Sequence, residues 1–217
     1  MAFLTDEEKA ALSARINHAE SQTSGEIVTV IARQSDGYRY IPTLWAAISA
    51  LSVPGLYYLW QRLNSDGWLT AVETANAMQW VYALQVLVFL GLGMIFQIPS
   101  VRMLVVPNSV KRRRAARHAR EQFFLQNLHK TRDRTGLLIF VSVAEHYVEI
   151  IVDRGLSETV DNAIWDDVVA KFIKNVQRGK IAAGFETAID RCRDILWEHF
   201  PAAEGKPDEL PNHLIEV

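Results

Sequence analysis

The sequence holds a single cysteine, Cys192, among its 217 residues, so no disulfide can form within the chain. Such a chain suits a reducing compartment. An excess of basic charge is also missing: 23 Lys and Arg stand against 25 Asp and Glu, with a pI near 6.3. This balance excludes a globally basic nucleic-acid binder. The first residues, Met-Ala-Phe-Leu-Thr-Asp-Glu-Glu-Lys, lack the positive charge and apolar core of a secretory signal, so we expect the chain to begin in the cytosol.

Two long segments contain no Asp, Glu, Lys, Arg or His: residues 40–61, with 22 residues, and residues 74–101, with 28. A helix that crosses a hydrocarbon core about 30 Å thick needs roughly 20 such residues. Tyr and Trp cluster at the segment ends, as they do at the level of lipid headgroups. The pattern predicts a two-helix transmembrane hairpin with spans at 40–61 and 77–99. The alternatives are a pair of buried core helices, or a re-entrant or interfacial first segment.

Basic residues predict the orientation of this hairpin. The connection from Arg62 to Glu73 holds one basic residue, whereas a basic cluster follows the second span, made of Arg102, Lys111, Arg112, Arg113, Arg114, Arg117 and Arg120. Lys and Arg stay on the cytoplasmic side. We therefore expect a multi-pass protein of the bacterial inner (cytoplasmic) membrane, with both termini and the globular domain in the cytoplasm. The cluster either binds anionic headgroups, at about 1 kcal/mol per residue near the surface, or serves as the topology signal alone.

The remaining sequence alternates helical and strand patterns. Thr5, with Glu8 three residues on, forms a capping-box pattern that opens the first helix. Hydrophobic periodicity then predicts strands at 26–32, 137–143 and 148–153, a helix from Asn108 or Ser109, a helix capped by Ser157, and a helix over 181–200. This order favours one sheet with helices packed over it.

The strand at 26–32 is too short to fold alone, so we expect it to pair with the strands at 137–153. The membrane hairpin is then an insertion. The predicted organisation is a discontinuous α/β domain over 1–39 and 102–200, a hairpin over 40–101, and a polar tail over 201–217 that is extended or mobile.

Four segments resemble the TPM domain in the right order: Ser24–Val30, Arg134–Val141, Val148–Leu156 and Arg178–Phe185. The resemblance implies a four-helix α/β/α sandwich with a mixed sheet. Relatives are described as acid phosphatases of the thylakoid lumen, photosystem repair factors or receptor accessory proteins, and calcium binding is attributed to some. This sequence departs from the family in lacking the export signal. It also has Ser157 and Asn162 where a carboxylate is expected.

The candidate site is the turn after the third strand, where Asp153, Glu158 and Asp161 would bind Ca²⁺ or Mg²⁺. Arg154, with that ion, would engage a phosphate or another anion. The alternative is that these carboxylates only stabilise helix dipoles, as acidic first turns commonly do. Cys192 lies in the middle of a helix without a phosphate-binding loop, which favours a core position over a nucleophile.

Two functions therefore stay open. The first is a non-catalytic, membrane-tethered binding or accessory module at the cytoplasmic membrane face. Its partners would be membrane lipids and another membrane protein, with no role for nucleic acid. The second is a metal-dependent acid phosphatase-like hydrolase. The absence of a recognisable nucleophile or general base favours the first.

Overall fold

The computed structural model describes residues 3–64, 71–202, 210 and 212–217. In chain order the elements are α1 (Asp6–Gln22), β1 (Glu26–Ala32), α2 (Tyr40–Asn64), α3 (Ala71–Gln97), α4 (Pro99–Val105), α5 (Asn108–Leu125), β2 (Gly136–Ser142), β3 (Tyr147–Val152), α6 (Arg154–Thr159), α7 (Asn162–Gln177), α8 (Ile181–His199) and β4 (Leu214–Glu216). They form two compact units, one from residues 1–35 and 112–217 and the other from residues 36–111.

The larger unit contains a four-stranded mixed sheet with the order β3-β2-β1-β4. β1 is parallel to both β2 and β4, and β3 is antiparallel to β2. The register places Glu26 opposite Gly136 and Ala32 opposite Ser142. Both central strands are buried along their whole length, as expected for near-continuous apolar strands covered on both faces. The predicted α/β class and the pairing of residues 26–32 with the later strands are confirmed.

Successive side chains of a strand point to opposite faces of a sheet, so the apolar central strands have two faces to bury. Helices cover both of these faces. On one face, Ile27 and Ile31 pack in a core built with α1, α7 and α8. On the other face, Val30 and Phe140 pack against Phe123 of α5.

The helix predicted to begin at Ser157 is two helices in the structure, so that part of the prediction is wrong. Asp153 caps α6 and Asp161 caps α7, each accepting a hydrogen bond from a backbone N–H of the helix it opens. Val160 between them is extended, with φ −111° and ψ 129°. Ser157 lies inside α6 and donates its hydroxyl to the Arg154 carbonyl, which leaves it no capping role.

Of the two alternatives predicted for the tail, its end takes the extended one and forms β4. The Val217 N–H donates to the Ile31 carbonyl at 3.0 Å, and the Arg33 N–H donates to the Val217 carbonyl at 2.9 Å. These bonds satisfy one edge of β1, which would otherwise be exposed. Residues 203–209 and 211 of the tail lie outside the described residues.

The smaller unit consists of α2 and α3 packed along each other, followed by α4. Among the described residues, one segment, Asn76–Gln97 in α3, is long and apolar enough to cross a membrane, and none of it is buried. α2 does not meet that criterion, because Pro54, Gly55 and several Ser and Tyr residues lower its mean hydropathy. The length and composition of α3 therefore support the second predicted span, at 77–99. The first predicted span, at 40–61, stays a prediction. The predicted outer connection between them includes residues 65–70, which lie outside the described residues.

The smaller unit extends beyond the predicted hairpin at both ends, to residues 36 and 111. Tyr38, Ile41 and Val106 form a small buried core there, with Met103 and Val110 packed on it. The indole N–H of Trp45 also donates to the Val105 carbonyl at 3.1 Å. These contacts hold residues 103–110 against Tyr38 and the first turns of α2.

Candidate functional site

Two turns that are distant in sequence meet at one end of the sheet. Because β2 and β3 are antiparallel, the residues that open β2 lie beside those that follow β3. The Asp153 N–H donates to the Gly136 carbonyl at 2.9 Å, and the Gly155 N–H donates to the Arg134 carbonyl at 3.1 Å. Two segments that carry the resemblance stated above thus form one local structure.

Gly155 is required by the close approach of these turns. A Cβ at this position would lie 2.8 Å from the carbonyl oxygens of both Asp133 and Arg134, which are backbone atoms that cannot easily move. Arg134 itself has a φ of 56°, in the left-handed region that non-glycine residues seldom adopt. Both turns therefore have a constrained backbone: Gly155 leaves no room for a Cβ, and Arg134 is held in a left-handed conformation.

Asp153 is the buried carboxylate of this turn pair. Its residue is 8% exposed, and one carboxylate oxygen accepts the Arg154 N–H at 2.8 Å. The other oxygen, Oδ2, lies 3.5 Å from Nη1 of Arg134 and accepts no hydrogen bond among the described residues. Asp153 thus caps α6 with one carboxylate oxygen, and its other oxygen, Oδ2, faces the Arg134 guanidinium.

The other predicted site residues have local partners. The Arg154 Nε donates to Glu158 Oε1 at 2.6 Å, and this hydrogen bond and the Glu158 charge raise the pKa of Arg154. Both side chains are exposed. Asp161 accepts the Ala163 N–H at 2.9 Å as the cap of α7. The predicted roles in metal and phosphate binding therefore compete with helix capping and an i,i+4 ion pair.

No group of three His, Cys, Asp or Glu side chains able to hold a metal ion occurs within the described parts of the chain. Asp153, Glu158 and Asp161 are therefore not assembled into a preformed cation site in this structure. The physical reason is the break at Val160, which gives each Asp its own helix to cap. Calcium or magnesium binding stays a prediction.

The basic cluster is divided between two helices. Arg102 lies in α4, and Lys111, Arg112, Arg113, Arg114, Arg117 and Arg120 lie in α5. Within α5, the Arg117 Nε pairs with Glu121 at 2.8 Å on the helix surface. Arg112, Arg113 and Arg120 are exposed, as a headgroup-binding role requires.

Sequence reasoning missed a buried polar cluster at the opposite end of the parallel strands. Ser142, at the end of β2, donates its hydroxyl to the Glu145 carboxylate. The Ser35 N–H donates to Oε1 of Glu145 at 3.0 Å, and the hydroxyls of Ser35 and Ser142 are 2.7 Å apart. Only the pairing of β1 with β2 brings Ser35 here, so no local spacing in the sequence indicates this cluster.

A second missed pair lies on the edge strand β3. Burial raises the pKa of Glu149, opposed by a hydrogen bond from Tyr147 and the charge of Arg120. Burial and the neighbouring carboxylate raise the pKa of Tyr147 to about 12. Tyr147 and Glu149 are two residues apart in a strand, so their side chains lie on the same face. This spacing is the feature of the sequence that could have indicated the pair.

These features define a mixed α/β domain with helices on both sheet faces and a turn after β3 in which Asp153 caps α6. The family model of the TPM domain matches residues 99–195, which confirms the predicted resemblance over that segment. The chain is also similar to a solved structure, the NMR structure of the BA42 protein from the psychrophilic bacterium Bizionia argentinensis. The identity is 18%, the TM-score is 0.59, and the match covers 100% of this chain and 97% of that one. At that identity the likeness concerns the fold alone. No curated protein matches the sequence.

Proposed function

We propose that the protein is a membrane-tethered TPM-like domain that acts as a non-catalytic binding or accessory module at the cytoplasmic membrane face. The observation that carries this proposal is the exposed apolar surface of α2 and α3. Side chains with more than 60% exposure include Leu51, Leu56 and Leu63 on α2 and Trp80, Leu87 and Met94 on α3.

A hydrocarbon environment accounts for this surface better than water does. A surface helix of a soluble domain has one apolar face toward the core and one polar face. The segment Asn76–Gln97 has no charged side chain and few polar ones, and none of it is buried, so it is not a core helix of its unit. Apolar surface of this extent is unfavourable in water, whereas a lipid bilayer removes it from water. An α-helix also satisfies its backbone hydrogen bonds internally, as hydrocarbon requires.

The basic residues of α5 favour a cytoplasmic position for the larger unit. The exposed Arg112, Arg113 and Arg120 would attract anionic headgroups when the membrane surface is near. Besides membrane lipids, the partner of the anchored domain would be another membrane protein. A non-catalytic role is favoured because Arg154 is engaged by Glu158, and because Asp153 and Asp161 are used as helix caps.

Fractionation of cells that express the full chain tests the tether. We expect the chain in the membrane pellet after alkaline carbonate extraction, and a Leu87→Arg plus Leu90→Arg variant should move to the soluble or aggregated fraction. Leu104→Arg is the matched control, because Leu104 is exposed but lies outside the span. A wild-type chain found in the soluble fraction would contradict the proposal.

Cysteine labelling tests the orientation. In a Cys192→Ala background, Asn64→Cys should react with a membrane-impermeant maleimide in intact spheroplasts, because Asn64 ends α2. Ser109→Cys, in the first turn of α5, should react only after lysis. The reverse pattern would place the larger unit outside, and labelling of both before lysis would contradict two membrane spans.

The second candidate function is a metal-dependent phosphatase. The observation in its favour is Asp153 Oδ2, which is buried, accepts no hydrogen bond among the described residues and lies near Arg134. Hydrolysis of p-nitrophenyl phosphate by the detergent-purified protein, with Ca²⁺ or Mg²⁺, separates the two candidates. We expect no turnover above that of an Asp153→Ala plus Glu158→Ala variant. Metal-dependent turnover that the variant loses would favour the phosphatase.

A further inference from the structure

Gln85 is a polar residue near the middle of the apolar segment Asn76–Gln97. It lies on a groove of about 460 Å³ between α2 and α3, whose walls include Ala47, Ala50 and Leu51 of α2 and Val86 and Phe89 of α3. The groove is open along its length, and its small alanine side chains leave room for another helix to approach closely.

The amide of Gln85 has two N–H donors and a carbonyl acceptor. Among the described residues, no hydrogen bond to this side chain is present. Two polar side chains of α2, by contrast, have partners within the unit: the Ser52 hydroxyl donates to the Ser49 carbonyl at 2.7 Å, and the Gln61 amide donates to the Tyr57 hydroxyl at 3.3 Å. If α3 spans a membrane as proposed, Gln85 has unmet hydrogen-bonding capacity in hydrocarbon, which is costly.

We propose that two copies of the chain associate in the membrane through this groove, with Gln85 of one copy hydrogen-bonded to Gln85 of the other. The inference rests on the proposed membrane insertion. An acyl chain could fill the apolar part of the groove, but it has no donor or acceptor for the amide. A second copy supplies both, because an amide pairs with an identical amide.

A twofold axis beside Gln85 makes the arrangement self-complementary. In a twofold interface each patch meets its own copy, so each Gln85 finds the other and each groove receives the helix surface that flanks the other groove. Val86 and Phe89, which lie on the groove wall, would then face the partner. Leu87 does not line this groove and would face lipid.

Disulfide cross-linking of the full chain in native membranes tests the contact surface. In a Cys192→Ala background, oxidised Val86→Cys should give a product of twice the chain mass, whereas Leu87→Cys should not. Equal dimer yields at both positions would indicate random collisions and overturn the proposal. Val86→Cys that gives only a product with a different protein would overturn it in favour of another partner.

Energy transfer between labelled chains in phosphatidylcholine vesicles tests the role of the amide. Gln85→Leu should raise the dimer dissociation constant about tenfold, the size of effect typical of interhelical polar contacts. Gln85→Asn should retain most of the association because it keeps the amide. Gln97→Leu, at the end of α3, is the matched control and should leave the constant unchanged.

The two proposals fail in different ways. A wild-type chain that sits in the membrane pellet but stays monomeric in vesicles overturns the dimer and leaves the tether standing. A chain that never enters the membrane fraction overturns the tether itself. Dimerisation that is unaffected by Gln85→Leu overturns the assigned contact.

Discussion

At the scale of single residues, Glu149 and Tyr147 form a partly buried acid pair on β3 whose titration bears on stability. The pKa of Glu149 is raised by burial, so the folded chain holds this proton more tightly than the unfolded chain. The stabilising contribution is then fully present below the unfolded pKa, near 4.5, and is lost as pH rises through the folded pKa. At neutral pH the ionised carboxylate opposes folding.

Glu149→Gln should therefore stabilise the protein at pH 8 and have little effect near pH 4. The glutamine carbonyl still accepts the Tyr147 hydroxyl hydrogen bond while carrying no charge. Thermal unfolding of the purified protein across this pH range measures the effect. Glu198→Gln, at an exposed position on α8, removes one carboxylate outside the core and is the control. A lower melting temperature for Glu149→Gln at pH 8 would contradict the assignment.

Cys192 lies in the core of the larger unit among α1, α7 and α8 residues, as its position on the apolar face of a helix predicts. Burial raises the pKa of its thiol to about 12, so very little of the reactive thiolate is present at pH 8. We expect a disulfide reagent to react with Cys192 only after denaturation. Stoichiometric reaction in the native state within minutes would show that the core opens readily.

At the scale of elements, β4 is a short edge strand that covers one edge of β1. Its Leu214 is buried, its backbone pairs with β1, and Glu216 pairs with Lys9 of α1 at 2.9 Å. Ending the chain at His213 should lower the free energy of unfolding by about 2 kcal/mol or more, from one buried leucine and its lost strand hydrogen bonds. Denaturant unfolding of the truncated chain measures this loss.

Glu216→Gln is the matched control for that truncation. It removes the ion pair and keeps the strand, and partly exposed ion pairs contribute little, so its stability should stay near the wild-type value. The truncated chain should also self-associate, because the uncovered edge of β1 offers unpaired backbone groups. Wild-type stability in the truncated chain would mean that β4 adds nothing to the sheet.

The same elements show what the sequence could and could not predict. The Thr5 and Glu8 capping box and the apolar runs of β1 and β2 are local patterns, and the structure has them where they were expected. β4 has three residues after a polar tail, too short for a periodic signal, and exists because β1 has an edge to cover. The break at Val160 depends on Asp153 and Asp161 acting as caps, whereas in the sequence their acidity fits either a cation site or a helix N-terminus.

At the scale of the whole molecule, the larger unit builds its two cores from residues on both sides of the 36–111 segment. β1 supplies Ile27 and Val30 to opposite faces of a sheet whose other strands come after that segment. The strand pairing does not use the smaller unit, and a long inserted connection costs little additional loop-closure entropy. The larger unit should therefore fold when the connection is shortened.

Replacing residues 36–107 with a flexible Gly-Ser linker should give a soluble, monomeric, cooperatively unfolding domain. Residues 108–111 are kept because they complete the first turn of α5. Circular dichroism, gel filtration and amide NMR dispersion would measure the fold, and the shortened chain should be released from membranes by alkaline carbonate. The matched control also lacks residues 1–35, which removes β1 from the centre of the sheet and should leave the rest unfolded. If the linked domain is unfolded as well, the sheet depends on the inserted helices, and their role reaches beyond anchoring.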